Sequence, residues 1–410
     1  MTFGFWHLKL YNEVVKYLIG LIALLLPTYL IRFSVFGVPL TLLELIIYAV
    51  FIIGFMRLGY VHLLKCKRNV WLLVGLLFLA ALISVFVAPE KTVALGQFKA
   101  LFLDSILVFF LIVCFLEPKD IKWTIYGLTL SSVFVSIYSI IQQITGNMTV
   151  DGRVIGIFGY NPNYVALYLA PITVLLIAYS WQLMTQRQLQ RALPFLVAVL
   201  INFYGLYLTG SRAGILATAA GLGFFLILHF WSKIRAKLVY KVGLAILIIA
   251  TILGAWFLFR PDFTASSGRV VSSNNVRWQI WQTSVEMIKN QPIFGVGLGN
   301  YQNAFSTLTK NRVNFNEYIS PLALSPHNVF LMFYLTTGLL GFLVFIWLLI
   351  TFYRIGFSEF KSDWSKILLG GMTTLILQGL VDTPYFKNDL VLIFWLIFGF
   401  MILLKKKVLK

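Results

Sequence analysis

The sequence predicts an all-α polytopic membrane protein, and three observations carry that prediction. Of 410 residues, 60% are hydrophobic and only 11% charged, against about 25% charged in a soluble domain. Mean hydropathy is +0.88. Apolar runs recur along the chain, each close to the ~20 residues that cross a bilayer as a helix. Too few charges remain to coat a water-facing surface, which excludes a soluble enzyme. The hydrophobicity excludes disorder.

Bounded by charges, Gly, Pro and turn residues, the runs predict twelve spans. They are 14–31, 38–56, 71–87, 100–116, 121–142, 164–181, 193–209, 212–230, 238–259, 327–352, 365–382 and 389–404. The first follows Lys9 and Lys16 with no small-residue cleavage motif, and is expected to be a retained signal anchor. One long, more polar segment, 261–326, separates the ninth span from the tenth. The chain thus divides into N-terminal helices (1–140), central helices with outer loops (141–260), the long loop (261–326) and C-terminal helices (327–410).

Orientation follows from Lys and Arg, which concentrate in cytoplasmic loops. With the N-terminus inside, the inner loops and tails hold 21 of the 33, from Lys9 and Lys16 to the Lys405–Lys410 tail. The outer set holds 12, six of them in the long segment and at its edge (Arg260), which the rule discounts. The expectation is N-in and C-in, with 261–326 outside. The net charge of +19 is then mostly topology, and no nucleic-acid partner is needed to explain it. Cys66 and Cys114 are too few and too separate for a disulfide framework or a zinc site. Of the four histidines, His7, His62 and His229 fall on the inner side and His327 on the outer.

An arginine on the outside runs against the bias, so each one needs a reason. Arg212 stands in Thr209-Gly210-Ser211-Arg212-Ala213-Gly214, a tight turn opening the eighth span with Ser211 as its cap. A cation there opposes the helix dipole, whereas an anion is welcome at a helix N-terminus beside an arginine. A snorkelling side chain is the other reading. Arg277 opens a helix predicted over 275–290, with Trp278, Trp281, Val285 and Ile288 on one face. It either binds an anion or pairs with an acid. Arg153, in Asp151-Gly152-Arg153, pairs with Asp151 or joins a substrate site near Asn161-Pro162-Asn163, where the sixth span starts.

His327 follows Ser325-Pro326, which predict the cap and first helical position of the tenth span. A helix start keeps the ring neutral, the form a general base needs; a structural role is the alternative. Asp382 ends the eleventh span and either caps Thr383-Pro384 or holds an arginine or the histidine. Asn328 stands with Arg153 and Asp382 as a substrate-binding candidate. Gly295-Val296-Gly297-Leu298-Gly299-Asn300 has no strand before it and no Gly-Lys-Ser/Thr after it, so it predicts a turn and not a nucleotide loop. No Asp-x-Asp occurs, so neither a metal nor a cofactor is expected.

The stretches LTGSRAG (208–214), VRWQIWQTSVEMIKNQPIFGVGLGNY (276–301), SPHNVFL (325–331) and, in style, GRVIGIFGYNPNYVALYL (152–169) resemble the O-antigen ligase and O-antigen polymerase superfamily. The resemblance spans about 150–390. It implies a GT-C type glycosyltransferase of about twelve spans in a bacterial inner membrane, with one large extracytoplasmic loop containing short helices. It implies metal-independent transfer of a glycan from undecaprenyl diphosphate to a lipid or glycan acceptor at the outer face. Carried over, Arg212 and Arg277 match the family's diphosphate-binding arginines and His327 its outer-loop histidine, the catalytic set; Arg153 matches less closely. Ligation of a finished glycan is the leading expectation, since the other outer loops are short. Repeat-unit polymerisation and protein glycosylation stay open. A twelve-span transporter is disfavoured, because Glu44 and Asp104 lie near the outer ends of their spans and the midplane is almost uncharged.

Overall fold

In a bilayer every backbone polar group must be satisfied within the protein, and an apolar segment does this by coiling into a helix. The structure, a computed structural model, follows that rule throughout. It describes residues 14–55, 68–159, 161–231, 234, 273–313, 320 and 322–405. Among the described residues, eight helices are long and apolar enough to cross a membrane. The helices are α1 (Val14–Leu24), α2 (Leu42–Phe55), α3 (Arg68–Val87) and α4 (Lys91–Phe115). Next come α5 (Ile121–Ile144), α6 (Pro162–Thr185), α7 (Leu189–Leu208) and α8 (Arg212–His229). Two helices of the long loop follow, α9 (Ser273–Asn290) and α10 (Tyr301–Val313). The last three are α11 (Val329–Ser358), α12 (Asp363–Gln378) and α13 (Asn388–Lys405). The predicted ninth span, 238–259, lies outside the described residues. Each other predicted span meets a helix, although α1, α2 and α12 are shorter than a full crossing.

Four local expectations need correction. Residues 31–41 form an antiparallel hairpin, β1 (Arg32–Val35) with β2 (Val38–Thr41), so the second span starts at Leu42 and not at 38. Strand β2, with only Thr41 polar, runs straight into an apolar helix and leaves no charged break in hydropathy. The fourth span begins nine residues earlier than predicted, at Lys91, and carries a wider π turn at Lys99–Leu103. Helix α10 was not predicted, being largely polar. The tenth span starts at Val329, and Asn328 is its cap, accepting from the N–H groups of Phe330 and Leu331 at 3.0 Å each. Ser325 and Pro326 therefore lie before the helix, and His327 with them.

Two helices form the centre. In α6 and in α13, 89% of the spanning window is buried within the protein. Helix α6 packs among α5, α7, α8 and α12, and α13 among α4, α11 and α12. Polar residues tie the apolar helices together, as expected where lipid offers no hydrophobic drive. The Asn202 amide of α7 donates to Ser132 Oγ and accepts from Ser136 Oγ of α5, both at 2.9 Å. Trp395 of α13 donates to Tyr385 Oη at 3.1 Å and packs edge-on to Phe109 of α4.

The loop helices are held as a unit on α11. Ile280, Thr283, Ser284 and Met287 form the buried face of α9, while Trp278 and Val285, on the face predicted from the tryptophans, are exposed. Arg312 of α10 clasps Glu286 of α9, reaching both carboxylate oxygens at 3.1 Å. The Gly295–Gly299 run is the expected turn. Gly297 has φ +88°, and a Cβ there would meet the Ala88 backbone at 2.6 Å, so the close approach to the end of α3 requires glycine.

Candidate functional site

The chain brings five segments together at one end of the bundle: the loop before α6, the α7–α8 turn, the start of α9, the loop before α11 and the loop after α12. Each is fixed by its own bonds. In the first, Gln142 Oε1 accepts from the N–H groups of Ile155 and Gly156 at 3.0 and 2.9 Å, and Val154 N–H donates to Leu208 O at 3.2 Å. This stitches the Arg153 loop to the C-terminus of α7. Arg153 then donates Nε to Thr209 O at 2.6 Å and a terminal nitrogen to Asn163 Oδ1 at 2.9 Å. Asp151 sits 3.7 Å away and is largely exposed, so the pairing with it is the weaker tie. Gly210, at φ +58°, makes room for this arginine: a Cβ would lie 3.2 Å from Arg153 Nε.

Arg212 begins α8 directly after the turn, with Ser211 as cap accepting from Gly214 N–H at 3.4 Å. Its side chain is exposed. Its neighbours Ser211, Ala213 and Gly214 form the wall of a small cleft, whose other lining includes Asn163, Arg277, Gln378 and Asp382. Arg277 is half-buried there and donates Nε to Val381 O at 3.2 Å. Burial pulls its guanidinium below the usual value; Asp382 opposes this and Arg153 adds to it. Arg277 thus feels the charge of Arg153 at a partly dry cleft, a cost that an anion bound near both would relieve.

His327 stands against Asp382, its Nδ1 3.7 Å from Oδ1, too long for a hydrogen bond but within ion-pair range. Nδ1 is buried and makes no hydrogen bond, while the side chain as a whole is 29% exposed, which leaves Nε2 as the reachable nitrogen. Burial alone would raise the Asp382 carboxyl, but the proximity and charge of His327, with Lys387 and the Thr383 N–H, hold it below the usual carboxylate range. The helix-start argument for a neutral ring does not apply, because His327 precedes the cap. Its backbone is left-handed, φ +46°, a conformation that costs on the order of 1–3 kcal/mol in a residue other than glycine and persists where the surroundings impose it. They do so on both sides: Trp281 Nε1 donates to Pro326 O at 2.9 Å, and Asn328 Nδ2 donates to Leu380 O at 3.0 Å.

The structure therefore gathers Arg153, Arg277, Asp382 and His327, with Arg212 between two residues of the cleft wall. The Asn328 amide has both ends occupied by backbone. Two residues at this cleft escaped the sequence reading. Asn163 holds Arg153; it stood in a motif already noted. Gln378, 2% exposed, donates to Ala166 O at 3.0 Å and leaves Oε1 without a partner. The signal was an amide inside an apolar run.

Residues 195–346 match the O-antigen ligase family. That stretch holds Arg212, Arg277, His327 and the whole long loop. A distant relative is the teichuronic acid biosynthesis protein TuaE of Bacillus subtilis (strain 168), 22% identical over 343 residues, 77% of this chain and 67% of the relative. With the fold, these matches support a multi-pass membrane protein that polymerises or ligates glycans.

Proposed function

We propose that the protein is a glycosyltransferase of GT-C type that moves a glycan from undecaprenyl diphosphate to an acceptor hydroxyl at the outer face of a bacterial cytoplasmic membrane. The observation that carries this reading is the cleft lined by Arg277, the start of α8 and Asp382, with the charge of Arg153 felt at Arg277 and His327 standing against Asp382. Arg277, Arg212 and Arg153 hold the diphosphate, whose charge grows as the glycosidic bond breaks; oriented donors at developing charge give the largest catalytic effect. His327 Nε2 removes the acceptor proton as the hydroxyl attacks the anomeric carbon in a single inverting displacement. Asp382, beside Nδ1, steadies the imidazolium that results.

Two products fit this chemistry, a glycan ligated to a lipid core or a lengthened lipid-linked chain. The lack of other large outer loops favours ligation. The relative's name, which speaks of teichuronic acid biosynthesis, fits either product. Purified protein in liposomes, given only lipid-linked repeat units, separates them: longer chains mean polymerase, and transfer requiring an added lipid core means ligase. EDTA leaves either reaction unchanged. No release of undecaprenyl diphosphate with any acceptor would refute glycan transfer.

A further inference from the structure

A second cavity, of about 490 Å³, opens beside the His327 loop. It shares no residue with the arginine cleft, and the two meet at the Asp382–Thr383 bond. Its size is that of a small-ligand site. Three cations line it, Arg32 of the hairpin, Lys99 of α4 and Lys387, against one acid, Glu44. Lys99 and Glu44 neutralise each other at 2.9 Å. Neither Arg32 nor Lys387 forms an ion pair with another described residue; Lys387 lies 5.1 Å from the centre of the Tyr164 ring and its charge also reaches Asp382, while Arg32 keeps the cavity's charge positive. Gln97 is part of the wall, and its buried Oε1 has no hydrogen-bond partner, so a turn of the side chain toward the cavity would offer a ligand an acceptor. The π turn at Lys99–Leu103 forms part of the wall; such turns gather at functional sites. Charge for an anion, an acceptor for a hydroxyl, and a position next to His327 belong together in one ligand.

We infer that this cavity is the acceptor subsite and takes an acidic sugar, with Arg32 and Lys387 on its carboxylate and Gln97 Oε1 on a ring hydroxyl. The word acceptor rests on the glycan-transfer reading; the recognition of an acidic sugar does not.

The test is equilibrium binding, read without turnover. Full-length protein in lipid nanodiscs is titrated with a fluorescent trisaccharide containing glucuronic acid and with its carboxyl-reduced counterpart. Wild type should prefer the acidic form. Arg32→Gln or Lys387→Gln should each weaken that form about tenfold, the scale of one charge-assisted hydrogen bond, and leave the reduced form unchanged. Arg277→Ala and His327→Ala should bind the acidic form as wild type does. Arg32 is exposed, so its variant keeps the test valid if Lys387→Gln fails to fold. Equal affinity for the two trisaccharides would overturn the inference. So would inorganic diphosphate displacing the probe more strongly than glucuronate does, since the cavity would then belong to a carrier headgroup. Binding as described without any transfer would sink the glycan-transfer reading alone.

Discussion

His327 owes its position to its neighbours and not to a helix. Sequence placed it at a helix start because Ser-Pro is a good opening; Asn328, an equally good cap three residues after Ser325, took the role instead. What sequence did provide was the histidine itself, the one of the four that the charge bias predicts to lie outside. The partnership with Asp382, 55 residues away in the chain, was open only as one of several alternatives. It has a consequence for pH. A carboxyl held low in the folded state adds stability above its unfolded value, about 3.9, and that contribution is lost as pH falls through the lower folded value. The melting temperature of wild type should therefore drop more steeply than that of Asp382→Asn below about pH 4. Parallel curves would mean that Asp382 gains nothing from its surroundings. In transfer, Asp382→Asn should cost less than His327→Ala, because it removes the orienting partner and leaves the base.

At the scale of elements, hydropathy revealed the helices but not how their faces are used. The buried face of α9 carries Thr283 and Ser284, small residues that pack closely and look polar on any hydrophobic scale, while the tryptophan face leaves Trp278 and Val285 exposed on the protein, as a face on the membrane boundary would. The other tryptophan, Trp281, pins the His327 loop through Pro326 O. Trp281→Phe keeps the ring and loses one hydrogen bond, worth about 1 kcal/mol; transfer should fall while donor binding holds. Asn328→Ser tests the cap directly. Serine caps nearly as well as asparagine, so a substitution that leaves transfer within about threefold marks Asn328 as structural, and a complete loss marks a substrate contact. Gly210→Ala forces a left-handed φ on alanine and crowds Arg153. It should destabilise by more than about 1 kcal/mol and weaken donor binding, seen as a raised donor KM.

For the molecule as a whole, the folding logic places the site at one end of a helix bundle, and the charge bias assigns that end to the outside. Cysteines at Phe36, the fully exposed hairpin tip, and at Arg187, between α6 and α7, should react from opposite sides of intact cells once Cys66 and Cys114 are replaced; labelling from one side would invert or break the topology. The number and order of apolar segments could be read from the chain, since each one must satisfy its own backbone. Convergence of Arg153, Arg277, His327 and Asp382 could not, since it depends on which helices neighbour one another. That convergence is the central claim, and donor binding measured beside turnover tests it most directly. In His327→Ala, transfer should fall about 10²–10⁴-fold with the dissociation constant for lipid-linked donor unchanged. In Arg277→Ala, both should worsen, and Arg277→Lys should recover only part, since it restores the charge without the fork. Full transfer by His327→Ala, or unchanged donor binding in Arg277→Ala, would contradict a single site shared by the base and the arginines.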